Sequence, residues 1–280
     1  MKFDLMSDLH VDLSPGAILD YKSMATSPIA VVAGDISNSP IKTIRELERI
    51  AEAYDQVLFV DGNHESYDNK SSMKGRPDYM PPKVYSTLRS AFEGHPKVVY
   101  LDQGRNAHII GDTAFIGANS WYDFNWGSND PDHCKSAWYQ HMNDSYWANI
   151  DAEWVENECI RQSSNIAATV AAMNQNAAVK RIVLVTHTIP TEKGIWVNPS
   201  NYLWNLLNGC YYNSVAQKAH FGKVVAHCFG HTHRRQMFRE HAIDFFCNPR
   251  GYQGEPSFES WDPMVVDLDY SQSAFGAYDG

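Results

Sequence analysis

The chain has 280 residues, 44% of them apolar, and a formal net charge of −10, which is ample for one large α/β core. Its acidic balance, with no long cluster of Lys or Arg, disfavours a surface that wraps long polyanions, because each phosphate contact calls for a basic side chain. No apolar run approaches the length of a membrane span, and five cysteines without Cys-x-x-Cys spacing argue against a disulfide framework or a thiolate zinc site and point to a reducing, cytoplasmic setting.

In chain order, residues 2–6 read as a buried strand that starts at once, so no leader is expected, and 28–33 as a second strand. A charged amphipathic helix over 41–54 carries Ile44, Leu47, Ile50 and Ala51 on one face, and 56–60 is a third strand. Residues 66–82, rich in Gly, Pro, Ser and Lys, read as an irregular excursion. A helix over 83–93 follows, with short strands near 97–101, 107–110 and 113–117. An aromatic loop from Asn119 to Trp126 leads through a polar stretch with Asp130, Asp132 and His133 to the longest helix, over 150–176. After a strand over 181–186, a long connection over 188–212 holds Trp196, Tyr202, Trp204, Tyr211 and Tyr212; connections of this length are commonly functional. The apolar run 224–229 is another strand, and further strands lie near 236–239, 242–247 and 263–268. One domain over 1–270 with a flexible tail over 271–280 is expected. Helices between buried strands imply a mostly parallel sheet, with its site beyond the carboxyl ends of the strands.

Residues that carry chemistry gather at those ends. Asp8-Leu9-His10 follows the first strand, Gly34-Asp35 the second and Gly62-Asn63-His64-Glu65 the third. Thr186-His187 closes the strand over 181–186, and Gly230-His231-Thr232-His233 follows the run 224–229. In extended chain, positions i and i+2 point the same way, so His231 and His233 can converge on one point. Five of the twelve histidines fall in this set, and scattered polar residues would not choose the same side of five strands.

This ordered set resembles the signature of the calcineurin-like metallophosphoesterase superfamily, here spanning residues 8 to 233. The resemblance implies a four-layer α/β/β/α sandwich with a dinuclear metal site at the C-terminal ends of the strands. It implies that Asp8, His10, Asp35 and His233 hold one ion, and that Asp35, Asn63, His187 and His231 hold the other. It also implies hydrolysis of a phosphoester by a two-metal-activated hydroxide, with His64 as general acid. Mn suits this donor set, with Fe, Zn or Ni as alternatives. Histidine ligands must be neutral, so metal occupancy is expected to fall below pH about 6.

Departures from the family narrow the class. Phosphoprotein phosphatases resemble Gly-Asp-x-x-Asp-Arg-Gly and Leu-Arg-Gly-Asn-His-Glu, with arginines gripping phosphate and the extra aspartate orienting the catalytic histidine. Here Asn38 stands in place of that aspartate, Asp61 precedes Gly62, and both arginines are absent. Closer resemblance, through Trp121-Tyr122-Asp123-Phe124 and Cys247-Asn248-Pro249-Arg250-Gly251-Tyr252, is to small bacterial and phage-type metallophosphoesterases. A small phosphodiester is the expected substrate, with a monoester also open, because a diester carries one less negative charge than a monoester and does not require the missing arginines. Two alternatives stand beside this: a nuclease or cyclic-nucleotide phosphodiesterase, against which the acidic charge counts, and a catalytically silent binding platform on the same fold. Arg250 is a candidate contact to phosphate, and Trp121, Tyr122, Trp196 and Trp204 are candidates to stack on a leaving group. Glu65 is expected to orient the loop carrying His64.

Overall fold

The computed structural model describes residues 1–14, 18–67, 80–198 and 200–270. Most of the excursion read over 66–82, and the tail expected over 271–280, lie outside the described residues. Among those residues the elements run β1 (Lys2–Met6), α1 (Tyr21–Met24), β2 (Ile29–Ala33), α2 (Pro40–Ala51), β3 (Gln56–Val60), α3 (Pro81–Phe92), β4 (Val98–Tyr100), β5 (His108–Ile110), β6 (Thr113–Ala118), α4 (Pro131–His141), α5 (Asn143–Trp147), α6 (Ala152–Gln175), β7 (Arg181–Thr186), α7 (Tyr202–Leu207), β8 (Val224–Phe229), β9 (Gln236–Glu240), β10 (Ile243–Cys247) and β11 (Met264–Asp267).

The strands pair into two sheets, ordered β11-β1-β2-β3-β4 and β5-β6-β7-β8-β10-β9. Pairing is parallel except where β11, β5 and β9 join their neighbours. Alternation along the strands divides the core. Phe3, Leu5, Val31, Ala33, Leu58 and Val60 meet Phe115, Val183, Val185, Ala226 and Cys228 of the second sheet, while Met6, Val32 and Phe59 face Leu47, Ile50, Val84 and Leu88 of α2 and α3. On the outer face of the second sheet, Ile166 and Val170 of α6 pack against Ile116, Ile182 and Leu184. The result is the expected four-layer α/β/β/α sandwich, in which helices and sheets bury one another's apolar faces.

Two stretches carry more structure than their residues suggested. The polar stretch after the aromatic loop folds as α4 and α5. Asp130 caps α4 by accepting from the Asp132 amide, and Pro131 opens its first turn. Only Cys134, Ala137 and Trp138 are buried on α4, too few for a clear helical stripe. The connection over 188–212 contains α7, capped by Asn201. These pieces share a satellite core of Trp121, Tyr122, Phe124, Cys134, Trp138, Val155, Leu206 and Cys210. The five cysteines are free and buried, and no helix among the described residues is long and apolar enough to cross a membrane.

Candidate active site

The chain turns sharply after β1, β2 and β8. Asp8, His10, Asp35 and His231 have φ of 50°, 43°, 54° and 64°, the left-handed region that costs a non-glycine residue free energy and persists where the surroundings hold it. What holds it is a set of backbone ties between neighbouring loops. The Asp8 amide donates to Gly34 O at 3.0 Å, the His10 amide to Asp35 O at 3.1 Å and the Gly230 amide to His187 O at 2.9 Å. The buried Glu65 carboxylate accepts from the amides of Asp35, Ile36, Ser37 and Gly62 and from the Thr43 hydroxyl. It thus fastens the loop after β2 to the one carrying His64. Gly62 has no alternative, because a Cβ there would collide with Asp35 Oδ1.

These loops bring Asp8, His10, Asp35, Asn63, His64, His187, His231 and His233 to one place, all buried except His233, which is partly exposed. Asp35 Oδ1 accepts from the His64 amide at 2.9 Å. Its Oδ2 faces three imidazoles: His187 Nε2 at 3.2 Å, His64 Nε2 at 3.8 Å and His10 Nε2 at 4.0 Å. On one side, His10 Nε2 lies 3.2 Å from His233 Nε2, which is 3.7 Å from Asp8 Oδ1. On the other, His187 Nε2 lies 2.9 Å from Asn63 Oδ1, and the His187 and His231 rings meet edge to face at 5.0 Å.

Three of the imidazoles have their outer nitrogen held by an acceptor. His187 Nδ1 donates to Ala33 O, His231 Nε2 to Cys210 O and His233 Nδ1 to the Glu255 carboxylate. Such bonds fix ring orientation and leave the inner nitrogen for a metal. Asn63 is aimed by Asp144, a fully buried carboxylate that accepts from Asn63 Nδ2 at 2.7 Å and from the hydroxyls of Tyr67 and Tyr122. The amide nitrogen is thereby occupied, and its oxygen points at the centre.

The electrostatics are those of a cation site. Burial raises Asp8 to about 6, against the opposing charges of His187 and His233. Burial also works against ionised Asp35, but His187 and His64 outweigh it and hold that carboxyl well below its usual range. His187 responds in kind: burial lowers it, Asp35 more than compensates, and it reaches about 10. Burial takes His231 down to about 3 and His10 well below 6.5. The residues fit divalent ions. Asp8 Oδ2 is buried with no hydrogen-bond partner, an arrangement that is costly in the absence of a cation. Moreover, Asp8, His10 and His233 form one group with ligand atoms within 4.8 Å of one another, and Asp35, His187 and His231 form another.

A cavity of about 490 Å³ opens over this cluster, with Asp35, Asn63, His64, His231 and His233 in its floor and Ile189, Ile195, Trp196 and Trp204 among its apolar lining residues. Trp196 is 44% exposed and lies edge to face with Trp204 at 5.1 Å, with the Arg234 guanidinium 5.5 Å from its ring centre.

Three other residues expected to contact substrate are placed elsewhere. Trp121 is fully buried and donates to Tyr85 Oη. Tyr122 is fully buried behind His231, its ring stacked on the imidazole at 6.1 Å. Arg250 is 2% exposed, donates to Leu9 O at 3.1 Å and lies 4.3 Å over the Phe258 ring, so it fastens the loop that carries His10. The first two are spent on the satellite core and the third on the backbone. Asp144, Glu255 and Arg234 were not foreseen. Asp144 and Glu255 act through long-range contacts that no local pattern announces, and Arg234 adjoins His233.

A two-sheet α/β sandwich with clustered Asp, Asn and His at adjoining strand ends defines a dinuclear metal-dependent hydrolase. The chain belongs to the calcineurin-like phosphoesterase family, whose family model matches residues 1–235, and it is a phosphoric ester hydrolase. An uncharacterized protein of Acanthamoeba polyphaga mimivirus is 23% identical over 246 residues, covering 84% of this chain and 82% of that one. In fold, the chain is similar to the phosphopantetheinyl hydrolase of Mycobacterium tuberculosis, with a TM-score of 0.70 and 18% identity, over 96% of this chain and 97% of that one.

Proposed function

We propose that this protein hydrolyses small phosphodiesters, with Asp8, His10, Asp35 and His233 holding one divalent ion and Asp35, Asn63, His187 and His231 the other. Asp35 is the shared ligand. The observation that carries this reading is the placement of Asp35 Oδ2 between His187 Nε2 at 3.2 Å and His10 Nε2 at 4.0 Å, one imidazole from each half of the site. When bound, the ions lower the pKa of the attacking water and neutralise charge on the phosphoryl oxygens. Mn is preferred, with Fe, Zn or Ni compatible with the same donors.

His64 gives the proton to the leaving oxygen. Asn38 Oδ1 lies 2.6 Å from its Nδ1 and supplies the orientation that an aspartate supplies in phosphoprotein phosphatases. The Asn38 oxygen accepts from Nδ1, which turns Nε2 toward the cavity; being neutral, it does not favour the imidazolium as an aspartate would, and burial keeps His64 below 6.5. His64 Nε2 is also near enough to Asp35 Oδ2 to resemble a ligand. The grip of Asn38 on one nitrogen and the exposure of the ring to the cavity favour the proton donor.

The cavity is far larger than a phosphate group, and its apolar lining suits the leaving group. Trp196 and Trp204 are assigned to that role. Five buried thiols suit a reducing compartment, the cytoplasm. Turnover of a bis-aryl phosphodiester against the matching aryl monoester, with added Mn²⁺, tests the preference. Faster diester cleavage is expected, and faster monoester cleavage would overturn it.

A further inference from the structure

The segment Asn248 to Glu255 lies beyond the residues matched by the family model, and it contributes no ligand to the proposed centre. Yet it is pinned to the loop after β1 along its length. The Ser7 amide donates to Asn248 O, the Arg250 amide to Ser7 O and the Gly251 amide to Asp8 O, each at 3.0–3.1 Å, while the Arg250 guanidinium takes Leu9 O. Gly251 sits at φ +79°, where a Cβ would collide with Glu255 Oε2. That same carboxylate oxygen accepts from the Tyr252 amide at 2.8 Å and from His233 Nδ1 at 2.7 Å. A turn this heavily fastened delivers a side chain with precision.

The side chain delivered is Tyr252. Its ring lies 4.5 Å from that of His10 and 4.6 Å from that of His233, so it covers one half of the ligand cluster. Its hydroxyl reaches 3.2 Å from His64 Nε2 and lines the cavity. Tyr67, the other tyrosine packed on His64, has its hydroxyl committed to Asp144. A phosphoryl group whose leaving oxygen reaches His64 Nε2 comes within reach of Tyr252 Oη, 3.2 Å from that nitrogen. With Asn38 Oδ1 accepting from Nδ1, neutral His64 has its lone pair on Nε2, so in the empty cavity the tyrosine O–H donates there. The donor is already oriented and has a weak partner to give up.

We propose that Tyr252 is a further catalytic residue, whose hydroxyl donates to a non-bridging phosphoryl oxygen of the bound ester. It supplies at this point the neutral counterpart of the phosphate-gripping arginines that the sequence lacks. The inference rests on the phosphodiesterase reading of the same cavity. In the reaction, His64 first takes a proton from solvent on Nε2, which releases the Tyr252 hydroxyl; water oxygen bonds to phosphorus, the bond from phosphorus to the leaving oxygen breaks with its electron pair on that oxygen, and the Nε2 proton passes to it. The attacking water releases one proton to solvent, so His64 ends neutral and Tyr252 keeps its own proton throughout. A donor held in place before the reaction stabilises developing phosphoryl charge without reorganisation.

Tyr252→Phe removes the hydroxyl and keeps the ring packing. In Mn²⁺-loaded protein, kcat/KM for an aryl phosphodiester should fall about 10- to 100-fold, and inhibition by inorganic phosphate should weaken about tenfold. The bound Mn²⁺ should stay at the wild-type level. The loss should be the same for aryl leaving groups of different pKa, whereas the loss in His64→Ala should grow as the leaving group becomes more basic. Unchanged phosphate inhibition, a loss that tracks leaving-group pKa, or lowered metal content would each overturn the role given to Tyr252. Absence of phosphoester turnover in the loaded wild type would instead defeat the hydrolase reading beneath it, and is separable because phosphate binding can be measured without turnover.

Discussion

The floor and the wall of the cavity are built by different means. The floor gathers side chains from the ends of five strands in two sheets, and four of them are fixed by partners outside the centre: Ala33 O for His187, Cys210 O for His231, Glu255 for His233 and Asp144 for Asn63. The wall comes from α7 and the segment before it, where Trp196 and Trp204 are nearly half exposed. Rigid placement is what in-line chemistry demands, whereas a wall with free aromatic surface can adapt to the group it covers. Substitutions in the floor should therefore abolish turnover, and substitutions in the wall should redistribute it among substrates.

The largest effect is expected at Asp35. Asp35→Asn removes the carboxylate shared by both halves and should bring phosphodiester turnover with Mn²⁺ to background, measured as kcat/KM. Next, His64→Ala should cost about 10²–10⁴ in kcat while leaving bound metal unchanged; a loss of one ion would instead make His64 a ligand. Asp144→Asn tests whether the floor depends on its outer supports. With Asn63 free to turn, metal affinity should fall about 10- to 100-fold by calorimetric titration. In the wall, Trp196→Ala should raise KM for an aryl diester about tenfold, a loss of about 1.4 kcal/mol, and should leave a methyl ester nearly untouched. Equal losses for both esters would erase the distinction between floor and wall.

The smallest effect is one of pH. In ion-free protein His187 Nε2 faces two acceptors, Asp35 Oδ2 and Asn63 Oδ1, and its pKa is raised to about 10. A cation needs that lone pair, so binding expels a proton and affinity should climb with pH from neutrality toward 10, beyond the window that ordinary imidazoles set. Folding shows the opposite sign. A raised imidazole contributes stability that is full below the unfolded value near 6.5 and is lost as pH rises through about 10. The melting temperature of ion-free protein should therefore decline from pH 7 to pH 10, and His187→Gln should flatten that decline.

How much of this was legible in the sequence follows the same division. Asp8, His10, Asp35, Asn63, His64, His187, His231 and His233 each sit within four residues of an apolar run, and strand direction alone sends them to one rim. Parallel pairing follows from the alternation of helix and strand, whereas the four layers are implied by the resemblance to the family. The wall follows from no such rule. Trp121 and Trp196 look alike in an aromatic loop, and only the satellite core reveals that the first is covered by Trp154 and Tyr85 while the second faces the cavity. Arg250 precedes a glycine as a phosphate-binding arginine could, but its length is consumed in reaching Leu9 O. Asp144 gave no local signal, since it acts on Asn63 from 81 positions away.

The most direct measurement is the number of Mn²⁺ ions bound per chain, by elemental analysis after titration, in wild type and in Asp35→Asn. Two ions are expected in the wild type, with weakened binding of both in the variant. A single ion in the wild type, or two held as tightly without the Asp35 carboxylate, would contradict a centre in which five strand ends share two cations through one bridging side chain.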